Sequence, residues 1–219
     1  MPARDTVRVT PRCAPRGAPA AGSCYDGAMD KRERLLIAAA ELFTTRGIQN
    51  TSTAAISRRA GVATGTLFNY FPSKDALIES LYGYASDSMV AATAVDDIDT
   101  TDYRAAFTLL WQRGIGWGCD NPTLFWFVEE ISRSAYRSRD ELAIRWFDFH
   151  LIKAFIAEGI SRGIVRDLPV DLVHTMVLST ISGIVAEILV NGADRTSYIQ
   201  HSCGIVWRAL QAGEGYTTD

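Results

Sequence analysis

Cysteine and histidine are scarce, at four and three residues in 219, and neither clusters. Cys13, Cys24, Cys119 and Cys203 show no CxxC spacing, which excludes a zinc ribbon and a disulfide frame and fits reduced thiols in a cytoplasmic protein. Long apolar runs are missing too. The longest, ISGIVAEILV, is short for a membrane-spanning helix and contains Glu187, so no contact with a membrane is expected. No hydrophobic segment follows the arginines of the first residues, which argues against a secretory leader. Alternation of period two is nowhere sustained, so strand content should be near nil. There is no phosphate-binding glycine loop, no HExxH and no nucleophile elbow. Asp171 and His174 share a helix face at i, i+3, but the glutamates that complete a di-metal bundle are absent, and Asp148 and His150 do not share a face. These absences argue against an enzyme: no catalytic residue, metal or cofactor is expected.

What remains is a helical pattern with an uneven charge. Residues 1–29 hold four Arg against two Asp, and residues 30–75 hold seven Lys or Arg against four acids. Residues 76–219 reverse the balance, with eleven bases against nineteen acids. The basic end suits a polyanion. Residues 1–29, rich in Pro, Gly, Ala and Arg and without periodicity, read as a disordered tail. From Asp30, Leu35, Leu36, Ala39, Ala40, Leu42 and Phe43 recur at helical spacing, and Gly47 suits the stop. TSTAAISRRAG reads as a short second helix, capped by Thr51 or Ser52, with Ile56 and Ala60 inward and Gly61 left-handed after its end. ATGTLFNYF is a third, ended by Pro72. Ser73 then caps a long fourth helix towards Ala94, the expected link between the two halves of the chain. Further helices are expected near 102–118, 122–135, 138–163, 169–191 and 195–212. The fold class is all-α: a three-helix helix-turn-helix DNA-binding domain over 30–75, then a helical ligand-binding and dimerisation domain over 76–219.

Two short helices joined by a tight turn at Gly61, after a longer helix, describe a helix-turn-helix of the DNA-binding kind. At about 100° per residue, Leu67 and Phe71 share the inward face of the third helix. The opposite face carries Asn69 and Gly65, flanked by Phe68 and Thr66, with Thr64 at the open amino end. These groups suit a major groove: Asn pairs with adenine, Thr hydrogen-bonds or meets a thymine methyl, and Phe packs on that methyl. Gly65 permits close approach of the backbone. Lys74 sits in the first turn of the fourth helix, where the helix dipole disfavours a cation. A phosphate held there by the ammonium and the free N–H groups accounts for that placement. Thr51, Ser52 and Tyr70 offer further hydroxyls to phosphates.

The stretch TSTAAISRRAGVATGTLFNYFPSKDAL closely resembles the operator-binding segment of the TetR family of bacterial transcriptional regulators. The shared features are the capping hydroxyl before the second helix, Ile56, AGV, GTLFNYF and SKDAL, over about residues 31–80. EGISRGIVRDLPVDLV further resembles the connection leading into the paired dimerisation helices of that family. The resemblance implies a homodimeric, all-helical repressor that binds an operator of inverted half-sites and releases it when a small molecule enters the second domain. By position, Thr64, Gly65, Phe68 and Asn69 would face bases, and Thr51, Ser52, Thr66, Tyr70 and Lys74 would face phosphates. Phe68 stands where the family usually has Tyr, so one phosphate hydroxyl is missing. Ala63 stands where a capping Ser is common, so the cap would fall to Thr64.

The second domain carries a dense aromatic set. Most of these rings fill a core, but an apolar cavity with a few orienting polar groups is expected among them. Trp111, Phe125, Trp126, Glu129, Phe147 and His150 are the candidates, and the aromatics favour a largely hydrophobic effector. Gly114, Gly116 and Gly118 fit either a helix that shifts or one that packs closely. In the last two helices, Ser179, Ser182, Gly183, Ala186 and Gly204 permit close helix approach, and Leu178, Ile181, Val185, Leu189, Ile205 and Trp207 supply apolar surface. A pair of such hairpins would form a dimer interface. The alternative function is a helical small-molecule-binding or interaction module that no longer reads DNA.

Overall fold

The computed structural model describes residues 29–94, 101–133 and 150–213. Among these residues the chain is helical, and the only bridge outside helices is an isolated one, Val165 with Gln211. α1 runs Lys31–Arg46, capped by Asp30, whose carboxylate accepts from the Glu33 N–H at 2.7 Å. It stops at Gly47, where φ is 82°, a region closed to most side chains. α2, Thr53–Arg59, is capped by the Ser52 hydroxyl, and the turn to α3 passes through Gly61 at φ 67°. α3 is Thr64–Tyr70, and α4 is Lys74–Ala92, capped by Ser73. α5 (Tyr103–Asp120) and α6 (Pro122–Arg133) follow, then α7 (His150–Ser161), α8 (Val170–Asn191) and α9 (Arg195–Leu210). The expected start of α7 near residue 138 lies outside the described residues, as does the tail before Met29.

Two apolar cores result. The first joins α1 to α4 and includes Leu35, Phe43, Ile56, Leu67, Phe71 and Leu77, all essentially removed from water. It is completed from beyond the amino-terminal helices. Leu81, Tyr82 and Ala85 of α4 enter it, and so do Phe127, Val128 and Ile131 of α6. Phe127 stacks on Phe43 with ring centroids 6.0 Å apart and 24° between planes. The expectation that α4 alone links the two halves is therefore corrected: α6 carries side chains into the head as well.

The second core gathers α5, α7, α8 and α9 around Tyr103, Phe107, Trp111, Ile156, Val173 and Trp207. The glycines of α5 are packing residues. A Cβ on Gly114 would stand 3.3 Å from Ile181 Cδ1, one on Gly116 3.2 Å from Arg195 Nη2, and one on Gly118 2.8 Å from Val185 Cγ2. α5 thus lies close on α8, with Arg195 held across its carboxyl end by Asp120 at 2.6 and 3.1 Å. Gly118→Ala should cost about 1–3 kcal/mol by overpacking, seen as a lower midpoint in thermal unfolding. Adding Val185→Ala should restore part of that loss, so that the two changes are not additive.

Candidate nucleic-acid interface and apolar cavity

α3 presents two unlike faces. Leu67 and Phe71 are buried in the head core, as their spacing requires. Thr64, Gly65, Asn69, Phe68 (46% exposed) and Tyr70 (44% exposed) stand outward, and Thr66 is half-buried beside them. A Cβ built on Gly65 would meet nothing within 4 Å, so the backbone there is open to an approaching molecule. The cap of α3 is Ala63, with no side-chain hydrogen bond, and Thr64 is already helical. Thr64 therefore does not serve as the cap, and its hydroxyl remains outward. Ser52 is exposed at the start of α2; its oxygen accepts from the Ala55 N–H at 3.2 Å, leaving its own O–H to donate.

Two of the phosphate candidates have other work. Thr51 is 2% exposed, and its hydroxyl points to the carbonyls of Leu42 (3.2 Å) and Gly47 (2.9 Å). It fastens the α1 terminus to the start of α2, so its side chain does not face phosphate. Lys74 is half-buried: its ammonium donates to the Ile48 carbonyl and lies 5.9 Å from the Phe43 ring centroid. Burial pushes its pKa below the usual lysine range, against the pull of Asp75. Sequence reasoning placed this cation correctly at the head of α4 but could not see a carbonyl 26 residues away that takes one of its three protons.

An apolar cavity of about 70 Å³ opens in the second core. Its wall includes Met89 of α4 and Thr93 at the end of that helix, Phe107 and Trp111 of α5, Phe155 of α7, Ile181 of α8 and Trp207 of α9. Three of its polar groups bond within the protein. Tyr103 donates to the Phe155 carbonyl (2.7 Å), Trp111 to the Ser202 hydroxyl (3.0 Å) and Thr93 to the Met89 carbonyl (2.9 Å). Burial also pushes the Tyr103 hydroxyl well above its usual pKa, so it stays a neutral donor. Of the six cavity candidates, Trp111 lines the space. Phe125 and Trp126 pack edge to face on each other at 4.9 Å, outside it. Glu129 is also outside: it accepts from Ser182 of α8 and pairs with Arg133 at 2.6 Å. Phe147 and the His150 side chain lie outside the described residues. The candidate metal pair is otherwise engaged. Asp171 meets Lys153 at 2.7 Å, and His174 is buried, its pKa pushed down by desolvation.

The last two helices keep an outward apolar stripe. Leu172, Met176, Ser179, Gly183 and Val190 follow one another along α8 at helical spacing, beside Tyr198, His201 and Ile205 on α9. Several expected interface residues point the other way. Val185 and Trp207 are buried, Leu178 and Ile181 line the cavity, and Ser182 bonds Glu129. Because both faces of α8 are apolar, the helix is long and apolar enough to cross a membrane, with a mean hydropathy of 1.8.

Residues 35–81 match the bacterial regulatory proteins of the tetR family. The chain is 27% identical over 168 residues to the HTH-type transcriptional repressor KstR2 of Mycolicibacterium smegmatis, covering 68% of this chain and 75% of that protein. A solved structure from Shewanella sp. PV-4, assigned to the tetR family of transcription regulators, superposes with a TM-score of 0.76 at 25% identity, covering 84% of this chain and all of that one (100%). The ketosteroid transcriptional regulator KstR2 of Mycobacterium tuberculosis shares the fold, with a TM-score of 0.67 at 20% identity over 85% of this chain and 98% of its own.

Thr51→Val should lower stability towards urea by about 1–2 kcal/mol, because the buried hydroxyl bond shared between the Leu42 and Gly47 carbonyls is lost, whereas Thr51→Ser should retain most of it. Unchanged stability in Thr51→Val would show that the hydroxyl is not a structural fastener.

Proposed function

Because the chain belongs to the TetR family, and so is a DNA-binding transcriptional regulator, we propose that it is a cytoplasmic homodimeric repressor released from its operator by a small hydrophobic effector. The observation that carries the reading is the outward face of α3: an amide, a hydroxyl, a bare glycine and an exposed ring, set over the buried Leu67 and Phe71. In this reading Thr64, Gly65, Phe68 and Asn69 meet bases. Ser52, Thr66 and Tyr70 meet phosphates. Lys74 gives one N–H to Ile48 and its remaining protons to a phosphate, so it sets the position of the loop and the charge at once.

The stripe on α8 and α9 supports a second copy of the chain as its cover. A two-fold dimer through these helices would set two α3 helices against successive major grooves, about 34–36 Å apart, on an operator of inverted half-sites. The cavity supports a largely apolar effector, since its lining is almost wholly apolar and Tyr103, Trp111 and Thr93 already donate within the protein. At about 70 Å³ it is well below the size of ordinary ligand pockets. An effector must therefore push its walls apart. Met89 belongs to α4, Thr93 caps its end, and Ile181 is next to Ser182, the partner of α6, so either helix would transmit that displacement to the head. By linkage, the effector weakens operator binding by the factor with which the operator weakens effector binding.

Asn69→Ala should cost about 1–3 kcal/mol for the cognate operator and relax preference at one base position per half-site. Lys74→Ala should weaken binding to all sequences alike and flatten the salt dependence. Competition titrations at several salt concentrations check both, and an identical, sequence-independent loss in the two variants would refute the assignment of roles.

A further inference from the structure

Phe68 is left without a task by the packing of the head. It is 46% exposed, has no hydroxyl, and makes no ring or cation contact among the described residues. Tyr70, the other exposed ring of α3, carries a hydroxyl that a phosphate can accept from. Gly65, one turn before Phe68, has open space where a side chain would stand, so the ring is not shielded from the amino-terminal side of the helix. Exposed apolar surface is stabilised when an apolar partner removes it from water. The largest apolar group on the base-pair edges of the major groove is the C5 methyl of thymine.

Resting on the DNA-binding reading above, we infer that Phe68 determines operator specificity by packing on a pyrimidine C5 methyl at one position in each half-site. A phenyl ring senses the methyl and not the hydrogen-bonding pattern beside it. Phe68 therefore accepts 5-methylcytosine where it accepts thymine, and discriminates against deoxyuridine and unmodified cytosine at that position. The neighbouring Asn69, which reads a polar pattern, follows the opposite rule and is indifferent to the methyl.

The test begins with the full chain and a random duplex pool, from which a preferred sequence is selected. Failure to select any sequence at low salt would overturn the DNA-binding reading itself. With a selected operator in hand, each thymine is replaced by deoxyuridine in symmetric pairs. One position should lose about fourfold in affinity per half-site, the worth of a buried methyl, and Phe68→Ala should show no loss there. Cytosine at that position should bind weakly, and 5-methylcytosine should regain about fourfold per half-site. A thymine scan in which no methyl matters would overturn the inference while leaving DNA binding intact. So would a methyl effect that persists in Phe68→Ala but vanishes in Thr64→Ser, since it would assign the methyl to the threonine. Phe68 is exposed, so its replacement leaves the fold standing, and the scan of the unaltered protein decides without it.

Discussion

Phe127 of α6, stacked on Phe43 of α1, decides how the reading head is held. The head does not close its own core: Phe127 and Ile131 are fully buried in it, and each comes from the second domain. Burying a ring of this kind contributes about 1.5–3 kcal/mol, so the head cannot swing free of α6 without exposing it. Phe43 also lies beneath the Lys74 ammonium, which grips the Ile48 carbonyl. The start of α4, the end of α1 and the middle of α6 thus meet at one ring. A displacement of α6 would therefore act on α1 through this ring.

α8 supplies the other half of the arrangement. Three consecutive residues divide its surroundings: Ile181 lines the cavity, Ser182 donates to Glu129 of α6, and Gly183 faces outward with open space around it. Cavity, head-bearing helix and outer stripe are therefore one residue apart. The close seating of Gly118 on Val185 leaves little slack between α5 and α8. A helix apolar on both sides and bare on one needs a cover, and its outer stripe of small and flexible residues suits a copy of itself.

The head was legible because its signals are local. Asp30, Ser52 and Ser73 cap helices three residues away, and Gly47 and Gly61 mark left-handed turns. Leu67 and Phe71 share a face by spacing alone. The roles of Thr51 and Lys74 were not legible, because their partners are carbonyls set by the fold and not by sequence neighbours. The cavity was half-legible. Aromatic density pointed to the right domain and to Trp111, but not to which way Phe125, Trp126 or Trp207 would turn. Sequence gives a helix its apolar residues; only the packing of α5 against α8 shows that Val185 goes inward and Met176 outward. α6 was the largest omission, since nothing in FWFVEEI says that its ring at position 127 belongs to another domain's core.

The account stands or falls on the pairing of two chains over one operator. The direct measurement is the mass of the complex that the full chain forms on a selected duplex, read beside the mass of the protein alone. Two chains per duplex are predicted. Ile205→Asp, at a position 60% exposed on the outer stripe, should abolish self-association and operator binding at the same protein concentration. A single chain on the duplex, or operator binding that survives the loss of self-association, would contradict the account.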